Sequence, residues 1–328
     1  MLRPLLVLIL STNFLFGREN KIDKSVYDKF STHDLSKVQT LQDIAKSIAE
    51  MTSDKKEQLQ MLLLWTDQNM HADSIRFFKG GYPLTTTESI QKRMALCDEF
   101  SHIFSDFCTA MNIPCIRIEG YVKYLNFKPK DNFTECNHAW NAVYMDSTWM
   151  LCDIFWSTSV LRTDSQSSPH FVKKLNTKYF LAAPETFIEN HLPCDPVFQF
   201  ENYPIKVDAF TDFSDSVDLK MERLPFLNYR DSLKTLMKLN EDSRSLKIAQ
   251  HSYLYNQHNP NLLISEYYNN GVSIVNNKTS TKMELSKAKY YFNSAIALIS
   301  QSDKRDIKNL KDGCEQGISI INKRGVAP

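Results

Sequence analysis

From Cys97 onward, apolar residues fall at Phe100, Ile103, Phe104, Phe107, Cys108 and Met111, in steps of three and four. That spacing predicts one continuous buried stripe on an amphipathic helix. Asn112 and Pro114 end it. Cys115 to Val122 then alternates, with Ile116, Ile118 and Gly120 set against Cys115, Arg117 and Glu119, the period of a strand. Ala139 to Met145 and Thr148 to Ile154 read as two more strands, joined by a hairpin at Asp146-Ser147. A strong helix followed by antiparallel strands constrains this part of the chain to an α+β unit.

Upstream, Leu41, Ile44, Ala45, Ile48 and Ala49 mark one helical face. A second helix is capped at Ser53-Asp54 and buries Leu59, Leu62, Leu63 and Met70, with Trp65 nearby. Residues 123–136 and the Ser/Thr-rich 157–178 read as loops. Tyr179 to His191 begins extended and turns helical after Pro184. Beyond about residue 202 strand signals fade, and 230–250, 261–275, 284–299 and 307–321 read as helices. The expected organisation is a lead-in at 18–40, a mixed α+β domain at 41–205 and an all-α module at 215–328. Ala288, Phe292 and Ala295 resemble one tetratricopeptide-type repeat, but such arrays need several units. A helical cap on the first domain is the other reading.

The formal charge of +1 gives no basic face of the kind nucleic acid needs. Met1-Leu2-Arg3, the apolar run Leu5 to Leu10 and a small Gly17 before Arg18 read as a signal peptide over 1–17. Export to the periplasm or the extracellular space is expected, with no integral membrane segment after cleavage. Seven cysteines in an oxidising compartment leave at least one thiol unpaired. No CxxC pair supports a zinc ribbon, and no G-x-S-x-G supports serine hydrolysis.

Cys97 stands at the start of the strongest helix. Unpaired N–H groups there carry partial positive charge, which stabilises a thiolate and can bind an oxyanion. Asp98 and Glu99 oppose a nearby thiolate unless they point away. The bland alternative is a structural cysteine, which suits Cys108 better. His138, where a polar loop enters a strand, is the expected acid/base; His102 and His191 are the rivals. With Asp146 and Ser147 as the hairpin loop, His138 faces Phe155 and Trp140 faces Asp153, all four on one face. Asp153 is then a diagonal neighbour of His138, roughly 7–8 Å away between backbones and within side-chain reach. Trp140, Trp149 and Trp156 are candidates for a substrate groove, with core filling the commoner role. A metal site from Cys136, His138 and Cys97 fits less well than nucleophilic catalysis, so neither metal nor cofactor is expected.

At these residues the sequence resembles the transglutaminase-like superfamily. The matching pieces are Arg93 to Ser101 around Cys97, Ile118-Glu119-Gly120-Tyr121, Asn137-His138-Ala139-Trp140-Asn141, and Trp149 to Trp156. Leu64 to Met70, Tyr179 to Glu185 and His191-Leu192-Pro193 extend the likeness to the kyphoscoliosis-peptidase-like branch, over about residues 40–205. The resemblance implies a papain-like core, with a Cys-bearing helix packed on an antiparallel sheet that carries His and Asp. It also implies a triad of Cys97, His138 and Asp153 that forms an acyl-enzyme from an amide. Ala95-Leu96 departs mildly from the small residue and Val often found before the Cys. The expected function is an exported cysteine peptidase or amidase, or a transamidase, acting on protein or peptide substrates. The helical module is a candidate site for a protein partner. A catalytically silent binding or scaffold protein on the same fold is the alternative.

Overall fold

The computed structural model describes residues 21–124, 127–163, 168–212 and 222–325. The expected signal peptide lies outside the described residues. The lead-in is more ordered than its polar composition implied. It contains α1 (Lys24–Ser31), anchored by Val26 and Phe30, one turn apart and both buried. Next come α2 (Leu41–Met51) and α3 (Lys55–Asn69), each started by a side-chain cap, Thr40 and Asp54 respectively. A short parallel pair, β1 (His71–Ala72) with β2 (Met94–Ala95), brackets α4 (Ser74–Lys79) and α5 (Thr86–Lys92). The predicted Cys97 helix is α6 (Cys97–Ala110), which packs on α2, and its stripe buries Phe100, Ile103, Phe104 and Phe107 in the core that α2 and α3 share.

Chain reversal after Pro114 leads into β3 (Cys115–Val122), then β4 (His138–Met145) and β5 (Thr148–Cys152). Asn141 pairs with Cys152 and Met145 with Thr148, the register the Asp146-Ser147 turn predicts. Both turn residues have positive φ, 49° and 64°, the twist that closes a two-residue hairpin. β5 stops two residues short of the expected Ile154, because Asp153 leaves the strand to cap α7 (Ile154–Thr158). The 157–178 segment, expected as loop, holds a two-stranded ribbon of β6 (Ser159–Thr163) and β7 (Pro169–Lys173). After α8 (Pro184–Phe187), β8 (His191–Pro193) adds to the free edge of β3. The sheet order is β5-β4-β3-β8, antiparallel throughout. This is the helix-on-antiparallel-sheet core expected of a papain-like, transglutaminase-like domain.

α9 (Val207–Asp212) closes the end of the sheet around Phe210 and Ile205. The expected 230–250 helix is two: α10 (Tyr229–Leu236) packs under the sheet, and Asn240 caps α11 (Glu241–Tyr255). α12 (Asn261–Asn276), α13 (Lys282–Ile299) and α14 (Arg305–Lys323) follow the expected pattern. Phe292 of α13 fills their centre, against glycines of α12 and α14, Gly271 and Gly317, where any side chain would collide with its ring. Among the described residues no helix is long and apolar enough to cross a membrane.

Candidate active site

Cys97 is the first residue of α6, half-buried and unpaired. Leu96 before it has no side-chain acceptor, so the helix start is capped from within. The Glu99 carboxylate accepts from the N–H of Leu96 at 2.5 Å and of Leu84 at 2.9 Å. Arg76 forks the same carboxylate at 2.6 and 3.1 Å. Asp98 pairs with Arg117, which also reaches Glu119 at 2.8 Å. Each acid that would oppose a Cys97 thiolate is therefore matched by an arginine. The positive end of α6 is left to act on the sulfur.

His138 opens β4 and is buried. Its Nε2–H donates to Asp153 Oδ2 at 2.6 Å, and its Nδ1 lies 3.0 Å from the Tyr124 hydroxyl. The Cys97 thiol is within hydrogen-bonding reach of the same imidazole. Asp153 owes its position to two structures at once. The β4–β5 register brings it beside His138, and its Oδ1 accepts the Trp156 N–H at 3.0 Å as the cap of α7. A third group completes the arrangement. His191, on β8, donates from Nε2 to Asp153 Oδ2 at 3.1 Å, while its Nδ1 lies 2.7 Å from Asn190 Oδ1.

The charges follow from this packing. Burial disfavours an imidazolium at His138, but Asp153 and Cys97 outweigh it and push the ring up to about 10. Burial likewise opposes the Asp153 carboxylate. The His138 charge and the hydrogen bonds from His138 and His191 overcome that and hold it well below the usual carboxylate range. His191 goes the other way: burial pulls it down to about 4, against the pull of Asp153, so it stays neutral. The Tyr124 phenol is raised well above its ordinary value, first by burial and then by Cys97 and Asp153, so it also stays neutral.

Residues 42–154 match the sequence pattern of the transglutaminase-like superfamily, a span that includes Cys97, His138 and Asp153. Mouse kyphoscoliosis peptidase is 24% identical over 172 residues, covering 52% of this chain and 26% of its own. Residues 42–154 form a transglutaminase-like domain. Human kyphoscoliosis peptidase is likewise 24% identical over 172 residues, so the likeness runs to that branch of the superfamily. The chain spans about a quarter of the length of those two relatives. The Caenorhabditis elegans Lim and transglutaminase domain protein ltd-1 is 23% identical over 139 residues, 40% of this chain and 18% of its own. Among solved structures, a TGase aligns over 44% of this chain and 41% of its own, at 15% identity and a TM-score of 0.26.

The site opens into a cleft of about 980 Å³, whose lining includes the charged Asp98, Arg117 and Glu119 and the apolar Phe77, Phe78 and Leu161. Cys97 and His138 line the same cleft. The three tryptophans read as groove candidates separate. Trp140 is buried against the rings of His138 and His191, 6.0 and 5.2 Å away, and is core. Trp149 stacks on Phe200 at 5.4 Å and borders a different cavity beside α10, because it belongs to the exposed end of the hairpin. Trp156, 5.7 Å from the imidazole, is the one of the three that lines a cavity next to it. His138, Asp153 and His191 are also, among the described residues, the group whose ligand atoms could hold a metal ion. Zinc bonded at roughly 2.0–2.2 Å to each would have to push apart a pair now 2.6 Å apart and replace both Nε2 protons. His191 and Tyr124 are the residues that sequence reasoning did not place in the site. His191 stood out only as a rival base. Tyr124 sits in a segment read as polar loop.

Proposed function

We propose that this chain is an exported cysteine hydrolase that cleaves protein or peptide amides through an acyl-enzyme, with Cys97 as nucleophile, His138 as acid/base and Asp153 as the orienting group. One observation carries the reading. A buried imidazole is held by a carboxylate on Nε2 and lies within hydrogen-bonding reach of a free thiol at a helix start, inside an open cleft. His138 takes the thiol proton, and the thiolate attacks the amide carbonyl carbon. The tetrahedral oxyanion draws on the N–H groups at the start of α6. The imidazolium then protonates the departing amine as the C–N bond breaks, leaving a thioester. Water adds to the thioester as His138 accepts its proton, which returns to sulfur when the acid leaves. An amine in place of water would give transamidation. Hydrolysis is preferred because the cleft is open and because the relatives of this branch are called peptidases. Export is supported by the N-terminal sequence pattern and by the Cys136–Cys194 disulfide, a bond that persists in oxidising compartments.

The test is alkylation of the folded protein with iodoacetamide, read by peptide mass spectrometry. Cys97 is expected to react first, with preference lost in His138→Ala. Cys108, Cys152 and Cys314 are held unreactive by burial, which raises all three thiols. Cys115 is the internal control: its neighbour Cys108 lowers it, yet it is remote from any base. Turnover of peptide and amine libraries should give a thioester on Cys97 in the native protein and none in Cys97→Ser. Equal labelling of Cys97 and Cys115, with no adduct and no product, would mean a silent binding protein on the same fold.

A further inference from the structure

A second cavity, of about 260 Å³, adjoins the catalytic cleft and shares Tyr124 and Leu161 with it. We propose that this cavity is a subsite for one bulky apolar side chain of the substrate, Leu- to Phe-sized, next to the amide that Cys97 attacks. The inference rests on the cysteine hydrolase reading above.

The walls fix the chemistry of the occupant. Phe155, Trp156, Val160, Leu161 and Phe171 supply the apolar lining; Lys123, Ser159, Lys174 and Asn176 are polar, and Tyr124 and Tyr179 complete it. An apolar side chain gains from those five walls, while a polar one would have to give up water for the few polar groups of the lining. The volume limits the occupant's size. Pockets for whole small molecules run roughly 300–1,000 Å³, so this one suits a single side chain of a longer ligand.

Position ties the cavity to the reaction. Three of its lining rings, Tyr124, Phe155 and Trp156, have centroids 5.7–5.9 Å from that of His138. The Tyr124 hydroxyl is the one 3.0 Å from His138 Nδ1. A side chain seated there belongs to a residue adjoining the carbonyl under attack. The charged part of the cleft lining, Asp98, Arg117 and Glu119, offers no such floor. Apolar selection therefore comes from the side built by α7 and the β6–β7 ribbon.

The test uses the full chain as Cys97→Ser, so binding is read without turnover. The probes are acetylated, amidated octapeptides of Gly and Ser with one Phe moved through each position, measured against the all-Gly/Ser parent by calorimetry. At least one Phe position should bind about tenfold or more tighter than the parent, the scale of one apolar side-chain difference in a pocket. The gap should collapse when Val160→Trp fills the cavity, and again with Val160→Asp, which charges it. Thermal melts of both variants confirm that they fold. In the native Cys97 protein, the same position should raise kcat/KM over the parent by a similar factor. A Phe preference that both Val160 variants keep, or no preference at any position, overturns the subsite. Tight Phe-dependent binding without turnover would keep the subsite and sink the hydrolase instead.

Discussion

Asp153 Oδ2 accepts hydrogen bonds from two imidazoles, and the two rings carry opposite consequences for stability. His138 is raised to about 10, so its pairing with Asp153 is fully present below the ordinary histidine value of about 6.5 and is lost as pH rises through about 10. His191 is lowered to about 4, so its contribution is present above about 6.5 and is lost as pH falls toward 4, where the unfolded ring is protonated and the buried one is not. His191→Gln keeps an N–H donor near Asp153 but does not titrate. Urea unfolding between pH 7 and pH 4 should therefore show a shallower loss of stability in His191→Gln than in the native chain, by on the order of 3 kcal/mol. Parallel curves for the two proteins would show that His191 titrates alike in the folded and unfolded chain, so that burial does not hold it neutral.

At the level of elements, the site depends on β3 being flat where β4 and β8 meet it. Gly120 pairs with His138 on one side and Pro193 on the other. A Cβ there would come within 2.2 Å of the Trp140 ring and 2.4 Å of the Leu192 carbonyl oxygen. Gly120→Ala must therefore shift the neighbours of both imidazoles. The expected cost is about 1–3 kcal/mol of stability, the usual range for overpacking, with a larger relative loss of Cys97-dependent turnover. Urea unfolding beside kcat/KM checks this, and unchanged values for both would show that the sheet yields freely at this point. The same strands show what is legible in the sequence. The β4–β5 register is readable because Asp146-Ser147 fixes the turn and alternation fixes the faces, and together these set Asp153 beside His138. The departure of Asp153 from the strand is not readable, since a capping Asp before Ile154-Phe155-Trp156 looks like a continuing apolar strand. β6, β7 and β8 escape detection because each is five residues or fewer, too short for a period to emerge from Ser/Thr-rich sequence. With β8 goes His191, whose role comes only from its place at the sheet edge.

At the scale of the whole molecule, the helical module braces a loop that lines the site. The segment before β4 carries Glu135, Cys136 and Asn137, all lining the catalytic cleft. The disulfide to Cys194 holds its end, and the corner between α11 and α12 holds its middle. Asn256 donates to the Phe133 carbonyl at 2.8 Å and to the Tyr121 hydroxyl at 3.1 Å. Asn259, with its amide turned to suit its neighbours, donates to the Thr134 carbonyl at 3.0 Å and accepts from the Cys136 N–H at 3.2 Å. Lys304, just ahead of α14, adds an exposed pair with Glu135 at 2.7 Å, which is worth little in water. The two asparagines are buried, so deleting either leaves backbone groups of the loop without partners, at about 1–3 kcal/mol each. The loop ends where His138 begins, so this bracing sets the strand start that carries the base. Asn256→Ala with Asn259→Ala should speed hydrogen exchange at residues 133–137 well before it does so in α6, and should lower kcat/KM by tenfold or more. The α12–α14 core, centred on Phe292, should keep its exchange protection. Uniform deprotection of loop and helices would mean the asparagines serve only to hold the two parts together. Selective loosening of the loop would mean that the module braces one wall of the cleft.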